Sequence, residues 1–306
     1  MRIFRGFEEV RGIRNPVVTT GSFDGVHIGH KTILNRLRML ATKHEGESVL
    51  ITFHPHPRKV LYPDTAGKDL KLINTQEEKL ELLRKAGLDN VIIVEFTREF
   101  SRVTSEEFVR DYLHSILKAR VIVVGFNHHF GFNQEGDYRH LWNWRKKYDF
   151  EAEEIPEQEV QHETVSSTKI RKAIREGYIQ RANAYLDHYY LVMGMVTESA
   201  LPGIADKVHF VRMPVTEESK LLPSPGLYAV SLVSENAASK AMAFIAQTDG
   251  SGQELFINIF ENEESFPGER ISVLFHKKIH GALSPDDLHF EYRLVTARDE
   301  ISELIY

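Results

Sequence analysis

The 306-residue chain contains no cysteine. That excludes disulfides and thiol-based catalysis and removes the usual structural zinc sites. No run approaches the ~18–20 apolar residues that a membrane helix needs. Residues 1–15 are charged throughout, without the apolar stretch of a secretory signal. No internal repeat and no low-complexity segment occurs. Basic charge is not in excess either: 38 Lys and Arg stand against 44 Asp and Glu, a net charge of −6. No global field therefore favours nucleic acid. From these absences we expect a cytoplasmic protein that binds neither nucleic acid nor membrane, a monomer or weak oligomer. A local anion site remains allowed.

What is present is ordinary for a globular chain, with 42% hydrophobic and 27% charged residues. The length predicts two domains. Up to about residue 185 the pattern alternates between strands and helices. Strands are expected at 17–20, 48–53, 91–96, 121–124 and 150–155. Helices are expected at 28–44, from Thr75 (a capping box with Glu78) to Gly87, from a cap at Ser105, at 138–148 and at 167–177. Continuous apolar strands followed by amphipathic helices imply a parallel sheet buried on both faces. Such sheets bind ligands at the carboxyl ends of their strands, here just after Thr20, Phe53, Val124 and Ile155.

Near residue 185 the pattern changes. Six strand-like runs follow at 189–197, 208–213, 227–234, 241–247, 255–260 and 271–275, punctuated by Gly and Pro. They predict a small antiparallel barrel. Ser284 and Pro285 then open a terminal helix reaching about Ile305. The expected domains are 1–185 and 186–306.

The sharpest motif runs from Thr20 to His30, T-G-S-F-D-G-V-H-I-G-H, between a strand and a helix. Its glycines let the backbone turn tightly. The helix start beyond offers free N–H groups and a positive dipole end. His27 and His30, three apart, share one face and suit hydrogen bonds to phosphate oxygens. The bland reading, a glycine turn with two surface histidines, is less favoured because Gly and His recur together at a strand–helix junction. Residues 25–32 approach a P-loop, but His30 stands where its second glycine belongs. A second motif, Ser166-Ser167-Thr168-Lys169-Ile170-Arg171, places hydroxyls and basic residues at a helix start. Hydroxyls cap, and arginine grips phosphate in bidentate fashion. The pairs His54/His56 and His128/His129 are read as substrate or surface positions rather than a metal centre.

The first motif resembles the H-x-G-H signature of the nucleotidylyltransferase superfamily, and the second is similar to its S-S-T-x-I-R motif. Phe53-His54-Pro55-His56-Pro57, the stretch from Val124 to Gly131, and Gly136-Asp137 narrow the match. They resemble the bacterial bifunctional riboflavin kinase/FAD synthetase family. The resemblance implies an α/β fold: a Rossmann-like parallel-sheet domain, then a six-stranded antiparallel β-barrel with a C-terminal helix. It implies transfer of AMP from ATP to FMN, with Mg²⁺ accompanying ATP. It assigns His27, His30, Ser167, Thr168 and Arg171 to catalysis. Gly21, Ser22, Phe23, Asp24, Gly29 and Lys169 are assigned to ATP; Phe53, Pro55, His56 and Asn127 to FMN. His128 and His129 depart from the aromatic and basic residues more common there.

The resemblance also implies a riboflavin kinase in the barrel, but its chemistry is missing. Residues 198–215 lack the family's G-x-P-T-A-N, and its E-x-H positions become Phe256 and Asn258. Glu254 is a weak substitute for the glutamate base. We therefore expect a degenerate kinase. A fully bifunctional enzyme, a different acceptor phosphate and a flavin-binding regulator without turnover stand as alternatives.

Overall fold

A computed structural model describes all residues except 127, 158, 161–162, 201–207, 235–237, 249–251, 261–269, 284–286, 288 and 305–306. The chain forms two compact units. One comprises Met1–Leu70 and Lys79–Val165; the other comprises Lys71–Glu78 and Ser166–Tyr306.

In the first unit, strands β1 (Arg2–Arg5), β2 (Val17–Thr20), β3 (Ser48–His54), β4 (Asn90–Glu95), β5 (Val121–Gly125) and β6 (Glu151–Ile155) form one sheet. Its order is β1-β4-β3-β2-β5-β6 and every pairing is parallel. Neighbouring residues of β2 face opposite ways. Val17 joins a core with Leu34, Leu37 and Leu40 of α1 (Ile28–Lys43). Val18 joins a second core with Phe108, Val109 and Leu113. Leu50 and Ile51 divide in the same way. Both faces are dry, which is why the strands read as unbroken apolar runs.

Three local expectations are corrected. The edge strand β1 hides in the charged start, because an edge strand needs little apolar patterning. Thr104, not Ser105, caps α4 (Ser105–Glu107) in a capping box with Glu107. The chain then continues as a π-helix over Phe108–Ile116. The helix expected at 138–148 is shorter, α5 (Tyr138–Trp144), capped by Asp137. The capping box Thr75/Glu78 is present, opening α3 (Gln76–Lys85). Two short elements complete the unit: α2 (Pro57–Leu61), and a hairpin of β7 (Glu159–Val160) and β8 (Glu163–Thr164).

In the second unit, α6 (Ser167–Arg175) and α7 (Ile179–Leu186) precede an antiparallel sheet. Its strands are β9 (Tyr190–Met195), β10 (Thr197–Ala200), β11 (Val211–Met213), β12 (Gly226–Val233), β13 (Ala238–Gln247), β14 (Gln253–Ile259) and β15 (Arg270–His280). The order β10-β11-β14-β13-β12-β15-β9 begins and ends on one nearly continuous run, broken only at Val196. Counted as one strand, that run closes a six-stranded barrel. Helix α8 (Phe290–Leu304) packs Phe290, Leu294, Ala297 and Ile301 onto Leu227, Ala229, Met242, Phe244 and Phe256. The expected start of this helix at Ser284 and Pro285 lies outside the described residues. Helix α7 escaped the sequence reading.

The segment 71–78 belongs to this unit through a buried ion pair. Lys220 Nζ lies 2.6 Å from Glu78 Oε2, and both side chains are fully inaccessible. The ammonium also donates to the carbonyls of Ile73 and Leu191, each at 2.7 Å, so its three protons are all used. Glu78 Oε1 accepts from the Met193 amide at 2.9 Å. Removing one partner of such a pair strands the other charge. We expect Lys220→Ala to lower unfolding free energy by about 3–5 kcal/mol, as read by urea denaturation; a loss under about 1 kcal/mol, the scale of an exposed pair, would contradict this.

Candidate active site

Strand β2 pairs with β3 on one side and β5 on the other, so the chain leaves these strands in opposite directions. Such a switch point opens a crevice at the carboxyl ends. A cavity of about 970 Å³ lies there, lined by residues following β2, β3, β4, β5 and β6. That volume is at the upper end of ligand pockets.

One wall is the loop Gly21–His27. Phe23 (φ 49°), Gly25 (φ 94°) and Val26 (φ 41°) all adopt left-handed backbone. Gly25 does so freely. For bulky Phe23 and β-branched Val26 the conformation costs about 1–3 kcal/mol each. Both are almost wholly buried, and that packing holds them there. The loop delivers His27 to the N-cap of α1 without a side-chain cap bond. The rings of His27 and His30 stack at 3.6 Å between centroids, and Phe23 stacks on His30 at 4.3 Å. His30 Nδ1 is buried without a hydrogen-bond partner among the described residues. Burial, then the neighbouring His27 and Lys79, pushes the His30 pKa well below the usual histidine range.

The opposite wall is aromatic. Phe53, Phe96 and Phe100 meet at 5.5–6.0 Å. Eight of the chain's 18 phenylalanines line the cavity. The loop after β5 is pinned at Gly131 (φ 76°), where a Cβ would stand 2.5 Å from the Ser105 backbone. Glu135 accepts from the Ser105 amide at 2.9 Å. His128 lines the cavity, nearly parallel to Phe130, with its Nε2 buried and unpartnered among the described residues. Burial, with a smaller contribution from His129, lowers its pKa to about 4.

Of the residues expected at the site, Gly21, Ser22, Phe23, His27, Gly29, His30, Phe53 and His56 line this cavity. Asp24 is buried and, like Pro55, does not line it, whereas Pro57 does. Asn127 lies outside the described residues. Ser167, Thr168, Lys169 and Arg171 belong to the second unit, on the first turns of α6. Ser166 caps that helix by accepting from the Lys169 amide; Thr168 and Lys169 are exposed, whereas Arg171 is buried. Sequence reasoning passed over Lys79, whose ammonium donates to the Ser22 carbonyl at 3.3 Å and Thr52 Oγ1 at 3.1 Å. A lysine at an ordinary helix position carried no signal of that reach. Arg58, Phe96, Phe100, Phe126 and Phe132 at the cavity were missed too.

The sequence matches the FAD synthetase family over residues 11–169. The chain belongs to that family. A bifunctional riboflavin kinase/FMN adenylyltransferase of Listeria monocytogenes is 30% identical over 268 residues, 87% of this chain and 81% of that protein. An FAD synthetase of the same organism is 33% identical over 241 residues, 78% of this chain and 91% of the relative. A bifunctional riboflavin kinase/FMN adenylyltransferase of Escherichia coli is 27% identical over 307 aligned positions, 96% of each chain. Among solved structures, one described as a macrolide-efflux protein from Streptococcus pneumoniae superposes with a TM-score of 0.88. It covers 99% of each chain at 24% identity, a likeness that speaks for the fold alone. Among the described residues no helix is long and apolar enough to cross a membrane.

The histidines of this FAD synthetase family member make a stability prediction. The folded protein resists protonation of His30 and His128, whereas the unfolded chain takes up protons near pH 6.5. Below that pH the unfolded state binds more protons, so stability falls as pH falls. For His128 the loss runs from about 6.5 to about 4 and then levels off. Urea midpoints across this range should decline less steeply in His128→Phe; an identical slope would contradict the assignment.

Proposed function

We propose that the chain transfers AMP from ATP to FMN, releasing pyrophosphate and forming FAD. The observation that carries this reading is the stacked His27–His30 pair facing an aromatic cavity at the β2/β5 switch point. The family's name and the printed activities of the relatives support it. An FMN phosphate oxygen attacks the α-phosphorus of ATP; a new P–O bond forms and the bond to pyrophosphate breaks. That oxygen is already a nucleophile, so alignment and charge stabilisation suffice. A neutral His30 donates one N–H to a phosphate oxygen, and His27 beside it does the same. The loop amides and the positive end of α1 add to this. By their motif, Ser167, Thr168, Lys169 and Arg171 take further phosphate contacts. Phe53 and the aromatic wall suit a planar flavin ring, with His56 and Asn127 near it. Among the described residues no group of three or more His, Cys, Asp or Glu is placed to hold a metal. Mg²⁺ would accompany ATP and neutralise phosphate charge.

We also propose that the barrel lacks riboflavin kinase activity. Phe256 lies in the apolar cluster under α8 and offers no proton acceptor. Asn258, 1% exposed, donates Nδ2 to the His209 carbonyl at 2.7 Å. Glu254 is engaged by Arg212. Each position has a structural task in place of the missing chemistry.

Incubation of the protein with FMN, ATP and Mg²⁺ should yield FAD and pyrophosphate in equal amounts; a folded protein yielding neither would refute the reading. In the same assay His30→Ala should lower kcat by roughly 10²–10³, the scale of losing one oxyanion donor. A change confined to KM would mark His30 as a uniform binding contact. Arg171→Ala should cost more in kcat/KM than Lys169→Ala. Riboflavin with ATP should yield no FMN; turnover matching the adenylyl transfer would sink the degenerate-kinase reading.

A further inference from the structure

Lys79 is the fourth residue of α3, yet its ammonium ends beneath the glycine-rich loop. It is 7% exposed. Three groups meet there. Lys79 Nζ donates to the Ser22 carbonyl and to Thr52 Oγ1, and Thr52 Oγ1 itself donates to the Ser22 carbonyl at 3.3 Å. Thr52 is fully buried on β3. Ser22 immediately precedes Phe23, whose left-handed backbone aims its ring onto His30. The lysine thus grips the peptide that orients the ring supporting His30.

Burying an ammonium is costly where an apolar side chain would fill the same space. A neutral strut would serve the fold alone. The cation does two further things. It sets a fixed positive charge under the glycine-rich loop. It also adds the smallest of three contributions that disfavour protonation of His30, after burial and His27. Asp24 is the acidic residue buried in the same loop.

We propose that Lys79 is a positioning residue for nucleotidyl transfer: it fixes the Ser22–Phe23 peptide and, through it, the Phe23 ring that stacks on His30. This rests on the adenylyltransferase reading given above. Histidine NMR titration of the full chain and steady-state FAD formation, each on the wild type and on Lys79→Gln and Lys79→Arg, test it. Glutamine retains donors but loses the charge. In Lys79→Gln the His30 titration midpoint should rise only part of the way toward the ordinary histidine value, because burial, the larger cause, remains. kcat should fall on the order of 10- to 100-fold, as for a slightly misplaced group, with a smaller change in KM for ATP. Lys79→Arg should recover most of both. An unmoved His30 midpoint in Lys79→Gln, or wild-type kcat, overturns the proposal. If Lys79→Gln does not fold, Lys79→Arg decides: His30 must then titrate as in the wild type, and a raised midpoint overturns it. Wild-type protein that makes no FAD sinks both readings, whereas FAD from wild type with an indifferent Lys79→Gln sinks this one alone.

Discussion

Strand β2 has four residues, and what surrounds the cavity depends on its two parallel neighbours. Pairing with β3 on one side and β5 on the other buries Val17 and Val18 in opposite cores. It also places the end of the strand, Thr20, where the flanking connections diverge. A parallel sheet puts every carboxyl end on one edge, so loops from five strands converge on one crevice. The Gly21–His27 loop and the aromatic wall are brought together by that constraint and not by any affinity for each other.

Within the crevice, packing holds a conformation that the backbone alone disfavours. Phe23 and Val26 are kept at positive φ because their side chains are buried. The resulting turn stacks three rings, Phe23, His30 and His27. Close stacking and burial disfavour a charged imidazole, so His30 is neutral and retains one N–H. In that form the ring can donate one hydrogen bond without carrying a charge. The same logic leaves His128 neutral within an aromatic wall.

The barrel is organised by closure and by one ion pair. Closure between the β9–β10 run and both ends of the sheet removes exposed edges. The apolar cluster under α8 absorbs Phe256. A buried aromatic suits that cluster, where an unpaired charge would be costly. Residues 71–78, remote in sequence, are incorporated through Glu78, which serves Lys220, the Met193 amide and its own capping box at once.

The amino-acid sequence by itself determined the kinds of element and most of their order. Unbroken apolar runs separated by amphipathic helices dictate a parallel sheet, and short alternating runs with Gly and Pro dictate an antiparallel barrel. It also carried the two motifs read as phosphate-binding, because glycine, histidine and hydroxyl spacing at a helix start has a local physical meaning. What it could not carry were relations set by packing over long separations. Thr104 competes with its neighbour Ser105 for one cap, and only the geometry shows which oxygen reaches Glu107. Strand β1 has no apolar face to betray it. Lys79 under Ser22 and Lys220 against Glu78 are 57 and 142 residues from their partners, and local periodicity says nothing about such meetings. Tertiary structure decided these contacts because burial obliges each charge to find its partners wherever the fold brings them.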